Sequence, residues 1–453
     1  MSIANLNGEK MSNRVDGIKL NHWLNVRKTS LDVLNKHLSS YINYQITFEN
    51  LDQLDDHAIN QIVKFLSIPK DFIQKSENIP AFIFSSKEQM QKTKRPIRRG
   101  GIHYYNYYTL PSPKGYVAPV LIDILCPKEK MPVLNNGHLE PAITVSLGPN
   151  DIYARFAKKI NKTNFVKFRI NPDPKTNWVV GSNYYEPSYC LHTYSRATDK
   201  PGKILSYTTK SNIESLFDSK LNSNSFKNLG KNIDAEKPNR SFLLQDILNR
   251  GYDLEAISKK TKISLKKMKK YFSKKSNLSL NDIKKICKII NTDSSFYIDK
   301  TYKEDKIGKY YYDYKDSLKT IRNFKSYKVA SIACSARSPD LTGYFLKVDN
   351  KSEKNITDLI DSNCSHYLVT KGNLTFFSKE NDQISKTKMK EGDSLWVSSY
   401  TEHGFSGSGA LVKISDGQNF NYLEKIDITN TYNLKKTLTR GRKDKINWGY
   451  DVE

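Results

Sequence analysis

Three side chains in this sequence have the types and spacing of a metal site. His138 stands in Leu134-Asn135-Asn136-Gly137-His138-Leu139-Glu140-Pro141, directly ahead of the apolar run from Ala142 to Gly148. Glu186 and His192 both fall in the segment from Gly181 to His192. Two neutral imidazoles and one carboxylate occupy one face of an Fe(II) ion and leave adjacent positions open for a substrate and O2. The chemistry implied is that of a non-haem iron oxygenase. Asn135, just before His138, carries an amide placed to donate to an anion bound on such a metal. Cys190, close to His192, reads as a buried thiol rather than a fourth ligand.

Those residues need a barrel to hold them, and an internal repeat supplies one. Ile59, Ile62, Val63, Leu66, Ile68 and Phe72 recur 224 residues on (283 − 59 = 224) as Ile283, Ile286, Cys287, Ile290, Thr292 and Phe296. Both segments have the spacing of an amphipathic helix. Leu24-Asn25 matches Leu248-Asn249 upstream, so each half opens with a small helical unit. Val145 and Gly148 match Val369 and Gly372 at the same offset, and both copies read as strand, glycine turn, strand. Gly181 then pairs with Gly392 and His192 with His403 at an offset of 211 (392 − 181 = 211), which predicts a longer loop in the first copy around Asn161 to Thr176. This is the pattern of a cupin, a double-stranded β-helix.

The repeat also acts as an internal control. At the His138 position the second copy reads Ser362, at Glu186 it reads Val397, and only His192 keeps a counterpart, His403. The second barrel is therefore expected to be structural and the first to be the site. The predicted fold class is α+β, mainly β: a helix-turn-helix-like unit followed by a cupin, twice. The expected boundaries are an N-terminal tail at 1–17, helical unit 1 at 18–78, the iron-site cupin at 79–210 and a linker or loosely packed helix at 211–238. Helical unit 2 follows at 239–300, the degenerate cupin at 301–434 and a charged, extended tail at 435–453.

The 453 residues carry a net charge of +26, and 38% hydrophobic with 11% aromatic content is enough for packed cores. No stretch approaches the roughly 20 apolar residues of a membrane helix. The amino terminus lacks the apolar core of a signal peptide, so a cytoplasmic protein without a membrane partner is expected. Five scattered cysteines with no C-x-x-C pair suit a reducing compartment and exclude a zinc ribbon. The positive charge is read as lysine spread over the surface, with steering of a dianionic substrate as a further use. The rival class is a DNA-binding cupin regulator, because Asp253 to Tyr271 resembles a helix-turn-helix with a lysine-rich second helix. Its first-copy counterpart, Leu31 to Leu38, is not especially basic, and a sensor needs no intact iron triad. Nucleic acid is therefore not the expected partner.

Upstream of the triad lie a basic cluster, Lys94 to Arg99, a glycine pair, and the aromatic strand Ile102 to Tyr108. Guanidinium matches phosphonate or phosphate oxygens bidentately. Arg98 and Arg99 cannot both point inward on an extended segment. With N-x-x-H at Asn135/His138, E-x5-H at Glu186/His192 and the Arg99…Tyr107 pair, nearly the whole chain resembles the hydroxyethylphosphonate dioxygenases and the related methylphosphonate synthases. The resemblance implies an Fe(II) cofactor on His138, Glu186 and His192, with Arg99, Tyr107 and Asn135 holding the phosphonate and Tyr184 in the pocket. It also implies that Lys28, like Tyr107 a catalytic candidate, reaches from a helical unit into an active site of its own chain or of a neighbour in a homo-oligomer. The second-copy counterpart of Lys28 lies near Tyr252 and is not a lysine.

The synthases of this family are distinguished by a glutamine four residues after the first histidine and an aliphatic residue six before the last. This chain has Ala142 and Glu186 there and follows the carboxylate pattern. The expected reaction is cleavage of 2-hydroxyethylphosphonate by O2 to hydroxymethylphosphonate and formate, without an external reductant. The alternative is methylphosphonate with CO2.

Overall fold

The computed structural model describes residues 15–75, 79–130, 132–159, 162–172, 178–214, 216, 220–298, 310–350 and 356–443. Met1–Phe82 with Asn419–Glu453 form one compact unit and Ile83–Gln418 the other. Among the described residues no helix is long and apolar enough to cross a membrane.

In the first unit, helices Gly17–Val26, Leu31–Leu38 and Asp56–Leu66 start where Asp16, Ser30 and Asp55 accept hydrogen bonds from first-turn amides. Leu20, Leu24, Leu34, Leu38, Ile59 and Ile62 form their shared core. The chain after Asn419 corrects an expectation. The tail does not start extended at residue 435, because Leu434–Arg440 is a helix on which Asn433 caps the Lys436 amide. Residues 444–453, and 1–14 of the expected N-terminal tail, lie outside the described residues.

The second unit carries the other helical element, Pro238–Asn249, Leu254–Thr261, Leu265–Phe272 and Leu280–Ile290. Asp56–Leu66 and Leu280–Ile290 start and end 224 residues apart (280 − 56 = 224), and both stop at a left-handed residue, Ser67 or Asn291. Upstream the frame slips by one. The Thr29 and Lys28 amides donate to Leu24 and Asn25, as those of Tyr252 and Gly251 do to Ile247 and Leu248. Leu24 therefore corresponds to Ile247, not Leu248, and the counterpart of Lys28 near Tyr252 is Gly251, which is not a lysine. The expected linker holds the helix Ser223–Asn232, none of whose residues is buried.

Two barrels make up the rest. The first has a sheet in the order Tyr310–Tyr312, Asn183–Glu186, Ala142–Gly148, Gly202–Thr208, Val120–Ile124, Ile102–Thr109, Arg95–Arg99, and a second of Lys162–Phe168, Ile152–Lys159 and Leu191–Arg196. The second barrel runs Phe82–Ser85, Ser394–Val397, Cys364–Glu380, Glu402–Asp416, Thr342–Asn350, Tyr327–Ser331, Arg322–Phe324, with Gln383–Lys390 paired to Cys364–Glu380.

The barrels exchange edge strands. Phe82–Ser85, ahead of the first barrel in sequence, pairs with Ser394–Val397 of the second, and Tyr310–Tyr312, ahead of the second, pairs with Asn183–Glu186 of the first. The short helices that follow these strands repeat the exchange. The Lys87 amide donates to Asp393 at 2.8 Å, and Asn183 Nδ2 donates to Ser317 at 3.0 Å. The boundaries at 79 and 301 thus divide the chain but not the sheets.

The register also revises the repeat. Ala142 opposes Glu186 as Ser365 opposes Val397, and Val145 opposes Asn183 as Leu368 opposes Ser394. The offset in these strands is 223 (365 − 142 = 223), so the Val145/Val369 and Gly148/Gly372 matches are one residue out of step. Both copies carry a ladder irregularity at the same place, around Leu147 and Thr370. The extra residues of the first copy lie after Phe168, where the chain takes until Gly181 to reach what the second copy reaches from Lys390 to Gly392. Residues 162–168 of the expected loop are strand, and 161 and 173–177 lie outside the described residues.

Inward side chains of the first barrel, among them Ile122, Ile124, Phe156, Phe168 and Tyr184, form its interior, and the opposite faces join the second barrel in a common core. His366, fully buried and 4.9 Å from the Tyr207 ring, bears a pH consequence. Burial holds its pKa down at about 3, against 6.5 in the open chain. Between those values only the unfolded chain takes the proton, so stability is complete above 6.5 and is lost as pH falls toward 3. His366→Leu should flatten the fall of melting temperature with acid over that window.

Candidate metal centre

The three predicted ligands meet. One donor atom each from His138, Glu186 and His192 lies within 4.8 Å of the others, and Glu186 is 1% exposed. Cis donors about 2.1 Å from a shared ion are separated by about 3 Å, and trans donors by about 4 Å. The strand Asn183–Glu186 presents Tyr184 and Glu186 to the barrel interior while Asn183 and Tyr185 face the second barrel, the alternation of a strand buried on both sides.

The His138 loop is clamped to the His192 strand. Gly137 has φ 73, and a Cβ there would stand 2.7 Å from the backbone N and O of Cys190. The Tyr189 amide donates to the His138 carbonyl at 2.6 Å, and the Asn135 amide to the His192 carbonyl at 3.1 Å. Asn135 Oδ1 accepts from the Gly137 and His192 amides.

Acceptors facing Nδ1 set both tautomers, a backbone carbonyl for His138 and a backbone carbonyl with the Glu186 carboxylate for His192. His138 Nδ1–H donates to Glu140 at 2.6 Å and His192 Nδ1–H to Cys190 at 3.0 Å, leaving each Nε2 with its lone pair. Asn135 Nδ2 meets the His192 Nε2 lone pair at 3.0 Å. Glu186 Oε1 lies 2.6 Å from His192 Nδ1, and the Tyr184 hydroxyl donates to Oε2 at 3.1 Å while touching the Tyr194 hydroxyl. Burial first, and the Glu186 charge second, push the Tyr184 and Tyr194 phenols far above their usual range, so both stay neutral. A carboxylate this deep needs a counter-charge, and a divalent ion on these three donors supplies it. The donor set fits Fe(II).

The other expected residues are placed less tightly. Tyr184 is fully buried, and its hydroxyl is engaged with Glu186 and Tyr194. Tyr107 is half-buried beside Tyr105 on the inner face. Arg99 is exposed at the end of its strand. Lys28 is exposed at φ 54 and belongs to the other compact unit.

The second barrel corrects the assumed counterpart of His138. The Tyr400 amide donates to the Asp361 carbonyl at 2.7 Å as Tyr189 does to His138, and both tyrosines have positive φ. Asp361, not Ser362, holds the equivalent position. His403 repeats the His192 arrangement, with Nδ1–H on the Thr401 carbonyl at 2.8 Å. Lys413, 4% exposed, extends its ammonium to Asp361 at 2.7 Å and stands in register where the first barrel has Ser206. The Tyr367 hydroxyl donates to His403 Nε2 at 2.8 Å, in register with Thr144. Burial pushes the Asp361 carboxyl up, but the Lys413 charge and hydrogen bond outweigh it and hold the pKa below the usual value. A lysine and a tyrosine thus fill the space that Ser206 and Thr144 leave open beside the first triad.

Known proteins resemble this chain over nearly its whole length. The family model of the 2-hydroxyethylphosphonate dioxygenase cupin-like domain matches residues 91–209. The chain is 33% identical over 446 residues to 2-hydroxyethylphosphonate dioxygenase of Streptomyces viridochromogenes, covering 97% of this chain and 100% of that protein. It is 22% identical over 354 residues to methylphosphonate synthase of Nitrosopumilus maritimus, covering 74% and 73%. The solved structure of Phpd with cadmium and hydroethylphosphonate superposes with a TM-score of 0.79 at 32% identity, covering 94% of this chain and 100% of that one.

Proposed function

The chain belongs to the 2-hydroxyethylphosphonate dioxygenases, a family of non-haem iron oxygenases, and on that premise we propose that it cleaves 2-hydroxyethylphosphonate with O2 to hydroxymethylphosphonate and formate. The observation that carries this reading is the convergence of half-buried His138 and His192 on the buried Glu186, with Nδ1 of each imidazole turned to a backbone carbonyl. Fe(II) bound there supplies the activation of O2. The overall reaction balances with no other reductant, since one substrate and one O2 contain all the atoms of the two products.

The chain's own residues bind and orient. Tyr184 holds the Glu186 carboxylate by its second oxygen, so the ligand keeps one direction. When the His192 lone pair is taken, the Asn135 Nδ2–H donates instead to the acidic head of the substrate. Tyr107 and Arg99 hold the phosphonate, and the small Thr144 and Ser206 leave room for it.

The specific alternative is the synthase outcome, methylphosphonate with CO2. Ala142 opposes Glu186 across the ladder, so side chains at 142 and 186 approach the same point. A glutamine at 142 would offer its oxygen where Glu186 now offers a carboxylate. Having alanine at 142 and glutamate at 186, the chain follows the dioxygenase. Phosphorus NMR of an aerobic reaction of the Fe(II)-loaded protein with 2-hydroxyethylphosphonate tests this. Hydroxymethylphosphonate with formate is expected, and methylphosphonate would overturn the assignment.

Lys28 takes a separate test. Its second-copy counterpart is Gly251, at φ 71 in the same helix-ending turn. A lysine held left-handed costs about 1 kcal/mol relative to glycine. Lys28→Gly is therefore expected to keep or raise the melting temperature while raising KM. An unchanged KM would remove Lys28 from the active site.

A further inference from the structure

We propose that Arg95 is a second guanidinium for the acidic head of the substrate, acting from its place opposite Tyr107 together with Arg99 further along the same strand; the proposal rests on the phosphonate reading above. The register makes the argument. Arg95 opposes Tyr107 and Ile97 opposes Tyr105, and both tyrosines pack against the barrel interior. Alternation along Arg95–Arg99 then puts Arg95, Ile97 and Arg99 on that face and turns Arg98 away. Between Ile97 and Arg98 the ladder shifts, with Tyr104 as the extra residue on the partner strand, so Arg98 and Arg99 do not compete for one direction.

Electrostatics agree with the placement. Burial raises the Tyr107 phenol, and the Arg95 charge, followed by that of Arg99, pulls it back. Tyr107 thus lies within the field of both guanidiniums. No side-chain hydrogen bond or ion pair to a described residue engages either one. Arg95 and Arg99 are four residues apart on an extended strand, about 13 Å between Cα atoms. Two long side chains can close over one small group from that separation. A phosphonate dianion carries two charges, and a single arginine matches only one. Arg95 would therefore favour the dianion over monoanionic analogues of the same size.

The test compares Arg95→Gln, Arg95→Lys and the outward Arg98→Gln with the parent chain. KM and kcat are measured on the Fe(II)-loaded protein. The dissociation constant for 2-hydroxyethylphosphonate is measured calorimetrically on cadmium-loaded protein, with 2-hydroxyethylsulfonate as the monoanionic comparison. Arg95→Gln is expected to raise both KM and the dissociation constant roughly tenfold with little change in kcat. The sulfonate constant should move less. Arg95→Lys should recover most of the loss, since the charge returns without the planar fork, and Arg98→Gln should match the parent.

The proposal is overturned if the parent binds the phosphonate and Arg95→Gln binds it equally well. It is also overturned if the lysine and glutamine variants are impaired alike, which would mean a structural role. Failure of the parent itself to bind the phosphonate would overturn the phosphonate reading, and this proposal with it.

Discussion

Glu186→Ala is expected to lose its metal and all turnover while keeping its fold. The carboxylate is the one anionic donor of the triad and is 1% exposed. Its removal leaves two neutral imidazoles and no counter-charge for a divalent ion. Loss of a supporting hydrogen bond costs about 10- to 100-fold in metal affinity, and loss of the ligand itself should exceed that. Titration with Co(II) or Fe(II), followed by elemental analysis, reads the effect. Retention of native affinity would remove Glu186 from the ligand set. Since Ala142 faces Glu186 across the ladder, adding Ala142→Gln to the alanine variant should recover part of the affinity. Recovery would show that the opposed positions serve one coordination site.

The second large effect lies in the other barrel. Lys413→Met should destabilise the protein by about 3 kcal/mol, because it leaves the Asp361 carboxylate without its cation. The figure stands at the low end because Asp361 retains 25% side-chain exposure. Denaturant unfolding measures the loss, and adding Asp361→Asn should return much of it. A Lys413→Met chain as stable as the parent would mean that the ammonium carries no weight there. Replacing Lys413 by Ser and Val397 by Glu, the first-barrel residues at those positions, puts two carboxylates and His403 around the vacated volume. That double variant should take up a second equivalent of Co(II).

The sequence made the triad legible because His138, Glu186 and His192 lie just ahead of or within strands whose pattern is strong, and the structure brings all three together. The helical repeat was equally plain, since Asp56–Leu66 and Leu280–Ile290 coincide to the residue. Identity matches misled in the strands. Pairing Val145 with Val369 looks better than pairing it with Leu368, yet in a strand one residue decides which face a side chain takes. That slip hid Asp361 behind Ser362, and with it Lys413 as the resident cation. Arg95 was missed for another reason: its direction follows from its pairing opposite Tyr107, a register that no spacing rule announces. The helix after Asn433 was read as tail because a lysine-rich stretch looks unstructured when its cap is overlooked.

The exchanged edge strands tie the stability of each barrel to the other. Here Tyr310–Tyr312 closes the flank of the strand that ends in Glu186, and Phe82–Ser85 does the same for Ser394–Val397. Loss of either half would leave the survivor with an unprotected, sticky border. Each half thus depends on the other to close one edge of its sheet. Two fragments cut between residues 211 and 238 should be soluble when produced together and should aggregate when produced alone.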